Sequence, residues 1–199
     1  MKRCLALLLT LSLLLAAGCG STPTRFYALT PLSASGPSTP ASGTDVSLGV
    51  GPVEIPKALD RPQIVTRRGR NEFHLAEFDQ WAEPLEDNVT QVLAENLSVL
   101  LPASRVTVYP WDRSTDIDYQ VVVKVLRFDR SAGGDAVLKA RWSITGPTPE
   151  NARLTGEFSH NKRPAGDEYR ATVEAMNQLL GEFSREVAAA IRGLRGKSP

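Results

Sequence analysis

The chain has 199 residues, with 23 basic and 22 acidic side chains and a formal charge of +1 at neutral pH. So even a balance gives no electrostatic reason to expect nucleic acid or anionic lipid as a partner. The length suits one domain with a real core.

Lys2 and Arg3 precede an apolar and small-residue run from Leu5 to Ala17. That run fits a secretory h-region and falls short of the roughly 20 residues needed to cross a bilayer. Ala16, Ala17 and Gly18 supply a small-residue cleavage site, and Cys19 follows at once. This is the arrangement of a lipobox, with Ala16 standing where leucine is commoner. The expectation is a signal peptide at 1–18, cleavage between Gly18 and Cys19, diacylglycerol on the Cys19 thiol and an acyl chain on its new amino group. Each buried methylene adds about 0.8 kcal/mol, so several chains together hold the protein to a membrane. Gly20, rather than aspartate, follows the cysteine, which favours the outer membrane and its periplasmic leaflet. The other cysteine, Cys4, is discarded with the leader. The mature chain then keeps 181 residues, 21 basic and 22 acidic side chains, and one thiol. With a single thiol it forms no internal disulfide although it enters an oxidising compartment.

Gly20 to Thr24 reads as a short lipidated tether, residues 19–24 in all. Arg25 to Leu29 (RFYAL) predicts a strand with Phe26 and Tyr27 on opposite faces. Thr30 to Asp45 is rich in Pro, Ser, Ala and Gly and predicts a mobile loop. Val46 to Pro56 predicts a strand. Its Gly49-Val50-Gly51 is no dinucleotide fingerprint, because Pro52 and more strand follow where a third glycine and a helix are needed. Gln63 to Arg67 and Glu72 to Leu75 predict two strands around the turn Arg68-Gly69-Arg70-Asn71. Leu85, Val89, Val92, Leu93, Leu97 and Leu100 recur at helical spacing, with Pro84 at the first helical position and Pro102 after the stop. Glu86, Asp87, Gln91 and Glu95 make the opposite, wet face. Val106 to Tyr109 predicts a short strand. Asp118 to Phe128 and Ala136 to Thr145 predict a hairpin closed by Ser131 to Asp135. Its first arm is apolar on both faces, as suits the middle of a sheet. Arg153 to His160 adds a strand. A final helix from Asp167 to Ile191 carries Tyr169, Val173, Met176, Leu180, Phe183, Val187 and Ile191 in one stripe. That stripe could form a coiled-coil seam, but Gly181 interrupts it and the sheet needs cover. The fold class is therefore α/β of the α+β kind: a single domain over 25–199, a mixed sheet of about six to eight strands and two main amphipathic helices.

Chemistry is sparse. His74 and His160 lie in strand patterns with no carboxylate or cysteine at metal-ligand spacing. No G-x-S-x-G elbow is present, and Cys19 is committed to lipid. Glu83, Glu86 and Asp87 are more simply read as the solvated start of a helix than as paired acids. The residues argue for a protein that is not an enzyme, with no metal and no cofactor beyond the covalent lipid.

Three stretches carry a resemblance: GPVEIPKALDRPQIVTR from Gly51, NEFHLAEFDQWAEPLEDNV from Asn71 and VLAENLSVLL from Val92. With RFYAL close behind a lipidated cysteine, they resemble the ABC-type transport auxiliary lipoproteins, in particular the PqiC branch. Leu59-Asp60-Arg61-Pro62 and Gln80-Trp81-Ala82-Glu83-Pro84-Leu85 are its most specific features. The resemblance implies a periplasmic lipoprotein of the outer membrane that supports envelope integrity. It would work beside a periplasm-spanning protein with mammalian-cell-entry (MCE) domains and an integral inner-membrane subunit, moving lipids or other hydrophobic molecules between membranes. It also implies self-association, in a ring-like homo-oligomer, and no catalytic residues. Arg61, Gln63, Arg67 and Trp81 are the candidate partner-interface residues. Two alternatives remain open from the sequence: a structural lipoprotein that binds peptidoglycan or another envelope assembly without handling lipid, and a periplasmic hydrolase.

Overall fold

The structure, a computed structural model, describes residues 22–33, 46–102, 104–112, 114–146 and 154–195. The leader, Gly18, Cys19 and the loop residues 34–45 lie outside them. The strands are β1 (Arg25–Tyr27), β2 (Val46–Glu54), β3 (Gln63–Arg67), β4 (Phe73–Trp81), β5 (Ser104–Val108), β6 (Tyr119–Arg130), β7 (Ala136–Thr145) and β8 (Leu154–Lys162). The helices are α1 (Leu85–Leu100) and α2 (Tyr169–Arg195). All eight strands form one mixed sheet. Its main body runs β5-β2-β6-β7-β8, with β2 parallel to both β5 and β6 and the rest antiparallel. A branch, β3-β4-β1, joins where Thr66 pairs with Arg130 at the far end of β6. The long arm β6 thus shares one edge between β2 and β3, and its other edge pairs with β7. Its core face carries Val121, Val123, Val125 and, past a register irregularity, Phe128, while Val122 and Leu126 on the other face are half-buried, so the expectation of cover on both faces is corrected.

The two helices pack on one another and on the same face of the sheet, α1 over β2 and β5, α2 over β7 and β8. Val121, Val123 and Val125 of β6 and Leu138, Ala140 and Ile144 of β7 meet the apolar stripes of both helices in one core. The coiled-coil alternative for α2 gives way to burial against the domain's own sheet: Val173, Met176, Leu180, Phe183, Val187 and Ile191 are all buried. Phe183 meets Phe158 of β8 edge to face, ring centres 5.4 Å apart. Among the described residues no helix is long and apolar enough to cross a membrane.

Several expected boundaries shift. Pro84 is the N-cap of α1 rather than its first residue; its extended ψ of 132° lies outside the helix, and its carbonyl accepts the Asn88 N–H. The strand expected over Glu72–Leu75 continues to Trp81, because an irregularity between Leu75 and Gln80 breaks the alternation that would have revealed it. β5 starts at Ser104 and ends at Val108, and α2 runs past Ile191 to Arg195. Gly49 and Gly51 lie within β2 with no helix behind them. A side chain at Gly49 would press on Trp111, and Gly51 has φ of 120°, open to glycine alone.

The described part of the expected loop, Thr30–Ser33, is tied down. Leu32 lies on Gly181, where an added Cβ would sit 3.0 Å from the Leu32 Cδ2. The glycine that seemed to interrupt the helix stripe is the seat of this residue.

Candidate functional site

The two specific motifs sit apart in sequence and meet in space. Pro56 starts a tight turn in which the Leu59 N–H donates to the Pro56 carbonyl, and the buried Leu59 anchors it. Asp60 then reaches across to α1, where its Oδ1 accepts the Glu86 N–H at 3.1 Å. Proline at the N-cap provides no side-chain cap, so a carboxylate from the other motif serves the exposed amides and the positive helix end. Glu86 in turn accepts the Ile55 N–H at 3.2 Å. Main-chain bonds complete the junction: Trp81 N–H to the Pro62 carbonyl at 2.7 Å and Ala82 N–H to the Tyr27 carbonyl at 2.8 Å. The sequence reading of Glu86 as mere wet face is corrected by these contacts; Asp87 and Glu83 are exposed as expected.

Between the motifs lies an open pocket of about 340 Å³, lined by Asp60, Arg61, Pro62, Trp81, Glu83 and Pro84 among others. Glu83 also borders a neighbouring groove of about 480 Å³ formed with Asp87, Gln91 and Tyr109. Neither is lined by His, Cys or Ser, so nucleophilic chemistry of the Ser-His or Cys-His kind has no footing in them. What the pair offers is an apolar floor with a guanidinium and carboxylates on its rim, a shape suited to holding a chain segment or small molecule.

The four interface candidates separate. Arg61 is exposed on the pocket rim, and Gln63 is half-buried beside Gln80. Trp81 is only 5% exposed and belongs to the core, so it shapes the pocket from beneath and offers little surface of its own. Arg67 stands at the other end of β3, about 13 Å away at strand rise. Its Nε is 2.9 Å from Asp129, a fully buried carboxylate that Arg127 also binds, and it stacks over Phe73 at 4.5 Å. Arg67 is thus engaged within the fold. His74 is half-buried on β4. His160 stacks on Phe158, ring centres 4.4 Å apart, with Nδ1 3.8 Å from Glu182. Among the described residues no group of three metal-ligating side chains exists.

Sequence reasoning missed how the N-terminal segment is fastened. Asp79, buried under β1, receives Arg25 Nε at 2.8 Å and the Tyr27 hydroxyl at 2.8 Å. Beyond β1 the main chain crosses both helices on side-chain amides: Leu29 on Asn88, Thr30 on Asn177, Leu32 on Asn96. Asn96 completes itself on Ser184 of α2 at 2.9 Å. The available signal was the asparagine inside each apolar run of α1, a polar group that needs a partner when buried.

The family comparison decides what this arrangement belongs to. The model for the ABC-type transport auxiliary lipoprotein component matches residues 27–188. The chain belongs to that family. It is 28% identical to the intermembrane transport lipoprotein PqiC of Escherichia coli K12 over 190 residues, covering 94% of this chain and 96% of the relative. The Shigella flexneri protein of the same name matches to the same extent. Among solved structures, an uncharacterised protein superposes with a TM-score of 0.71 at 20% identity, covering 85% of this chain and 99% of that one. A protein from Xanthomonas campestris superposes with a TM-score of 0.62 at 18% identity, covering 82% and 92%. These two show the fold. The family is one of transport auxiliary lipoproteins, not of enzymes.

Proposed function

We propose that this chain is an outer-membrane-anchored periplasmic lipoprotein that serves as the auxiliary subunit of an MCE-type system moving lipids or other hydrophobic molecules across the envelope. The observation that carries the reading is the family match over residues 27–188, with end-to-end likeness to relatives named intermembrane transport lipoproteins. Cleavage between Gly18 and Cys19 leaves Cys19 to take diacylglycerol on sulfur and an acyl chain on nitrogen. Gly20 favours the outer membrane. The partners are a periplasm-spanning MCE protein and an integral inner-membrane subunit, and the lipoprotein self-associates, in a ring where its number allows closure. Arg61, at the rim of the motif pocket, is the leading candidate for contact with the MCE protein, since Arg67 and Trp81 are spent inside the fold. Energy for transport comes from another subunit.

Three physical points support this reading. A pocket bordered by both specific motifs gives a partner a place to bind. The strap from β1 to Leu32 joins the anchor side of the chain to the core by a buried hydrogen bond at Leu29 and a partly buried one at Leu32. Neither groove lined by the motifs is bordered by serine, cysteine or histidine.

The test is affinity purification of the tagged protein from detergent-solubilised native envelopes. An MCE protein recovered in near-stoichiometric amount is the expected result. Recovery of peptidoglycan or cell-wall proteins in its place would make the chain a structural lipoprotein. Labelling by a covalent hydrolase probe would make it an enzyme.

A further inference from the structure

The branch β3-β4-β1 has one face turned to the core, carrying Ile64, Ala76 and Trp81, and one face away from it. Register assigns residues to each. Arg25 pairs with Asp79 and Tyr27 with Trp81, and these four share one face, the one that buries Asp79 and Trp81 against the core. Phe26 pairs with Gln80 and so points away, and Phe78, two residues before Gln80, shares that face. Gln63 pairs with Gln80 and Val65 with Leu75. Since Gln63 and Val65 are two apart on one strand, Leu75 points the same way as Gln80, and Phe73 follows it. The irregularity in β4 therefore brings Phe26, Phe73, Leu75 and Phe78 onto a single face. They are 65%, 40%, 38% and 36% exposed, and make up four of the six large exposed apolar side chains among the described residues. At one end of the face the turn after β3 carries exposed Arg68 and Arg70, with Glu72 as its one acid.

Resting on the reading of Cys19 as the lipidated residue, we infer that this face is a second membrane contact: it lies on the phospholipid surface, with Phe26 and Phe78 in the interface and Arg68 and Arg70 on headgroup phosphates. The tether selects this occupant. Gly20 to Thr24 spans at most roughly 18 Å when extended, at about 3.3–3.6 Å per residue. The chain enters the fold at Arg25, next to Phe26, so the acyl chains and the aromatic face are bound to lie close together. Aromatic rings beside cationic side chains are the composition of an interfacial membrane contact. Such a contact would add to the anchor and fix which way the motif pocket faces.

The experiment uses the protein recovered from its own cells in detergent and reconstituted into phosphatidylethanolamine–phosphatidylglycerol vesicles. Phe26→Trp and Phe78→Trp are read one at a time against Val99→Trp, which reports from exposed α1. Vesicles with brominated acyl chains quench tryptophans at the interface. Loss of the added emission for Phe26→Trp and Phe78→Trp, with Val99→Trp unaffected, is the expected result. Flotation with vesicles reads the anchor separately. Protein that floats but shows no quenching at positions 26 and 78 overturns the membrane face and leaves the anchor standing. Protein that does not float, with an unmodified Cys19 by mass, overturns the anchor and this inference with it. If Phe26→Asp with Phe78→Asp breaks an oligomer into monomers and no quenching is seen, the face binds a second copy and the inference fails.

Discussion

The side chain of Asn88 holds both main-chain polar groups of Leu29: its Oδ1 accepts the Leu29 N–H at 2.7 Å and its Nδ2 donates to the Leu29 carbonyl at 3.4 Å. Both residues are buried. An amide side chain thereby stands in for a neighbouring strand, and the segment after β1 is locked to α1. Asn88→Leu leaves two buried main-chain groups unpaired, each costing about 1–3 kcal/mol. The urea midpoint should fall, and proteolysis should begin within residues 22–33 before the core is cut. An unchanged midpoint would mean that the strap contributes nothing to the fold.

Arg25 and Tyr27 compensate the buried Asp79. Arg25→Ala removes its charge partner, and β1 should loosen from β4. Hydrogen exchange at Phe26 and Tyr27 should accelerate while Val121 to Val125 stay slow. Protection that is unaltered at Phe26 and Tyr27 would show that β1 is held without this pair.

Tyr27 also sets an alkaline limit. Burial first, then its hydrogen bond to Asp79 and that residue's charge, raises the phenol above its ordinary value of 10.0. A folded state that holds the proton more tightly has this contribution in full below pH 10.0 and loses it as pH climbs through the raised value. Above pH 10.0 the thermal midpoint should fall more steeply for the native chain than for Tyr27→Phe. Parallel slopes would exclude Tyr27 as the cause.

How much of this was legible depended on whether the signal was local. The helices α1 and α2 and the second arm of the β6–β7 hairpin each carry a local period, with ends marked by features such as Pro84 and Pro102 or the Ser131–Asp135 turn. The second half of β4 was hidden because the irregularity between Leu75 and Gln80 scrambles alternation. The roles of Asn88 and Asn96 were hidden because their partners lie 59 and 64 residues away. At the candidate site both motifs were visible, yet their junction through Asp60 and Glu86 was not, and Trp81 passed for surface because an aromatic beside Ala82-Glu83-Pro84 gives no sign of its depth.

Core losses should follow the helix faces. Leu93 and Leu97 are fully buried while Glu95 is exposed. Leu93→Ala and Leu97→Ala should each cost about 2–5 kcal/mol, and Glu95→Ala about 0.5 kcal/mol or less. Equal losses by chemical denaturation would contradict the packing described.

Gly156 permits Trp142 to lie across β8, its Nε1 donating to Glu186 of α2 at 2.9 Å. A methyl at Gly156 would collide with the indole. Gly156→Ala should therefore lower the thermal midpoint, and Trp142→Phe in the same chain should recover part of the loss. A single variant as stable as the native protein would show that the indole moves freely.

The central claim is that the pocket joining the two motifs is where a transport partner docks. Its most direct measurement places a photo-reactive amino acid at Arg61 in living cells, with Glu95 on the exposed face of α1 as the control. The account predicts an adduct with an MCE protein from position 61 and none from position 95. Adducts from position 61 to cell-wall components alone, or equal yields from both positions, would contradict it.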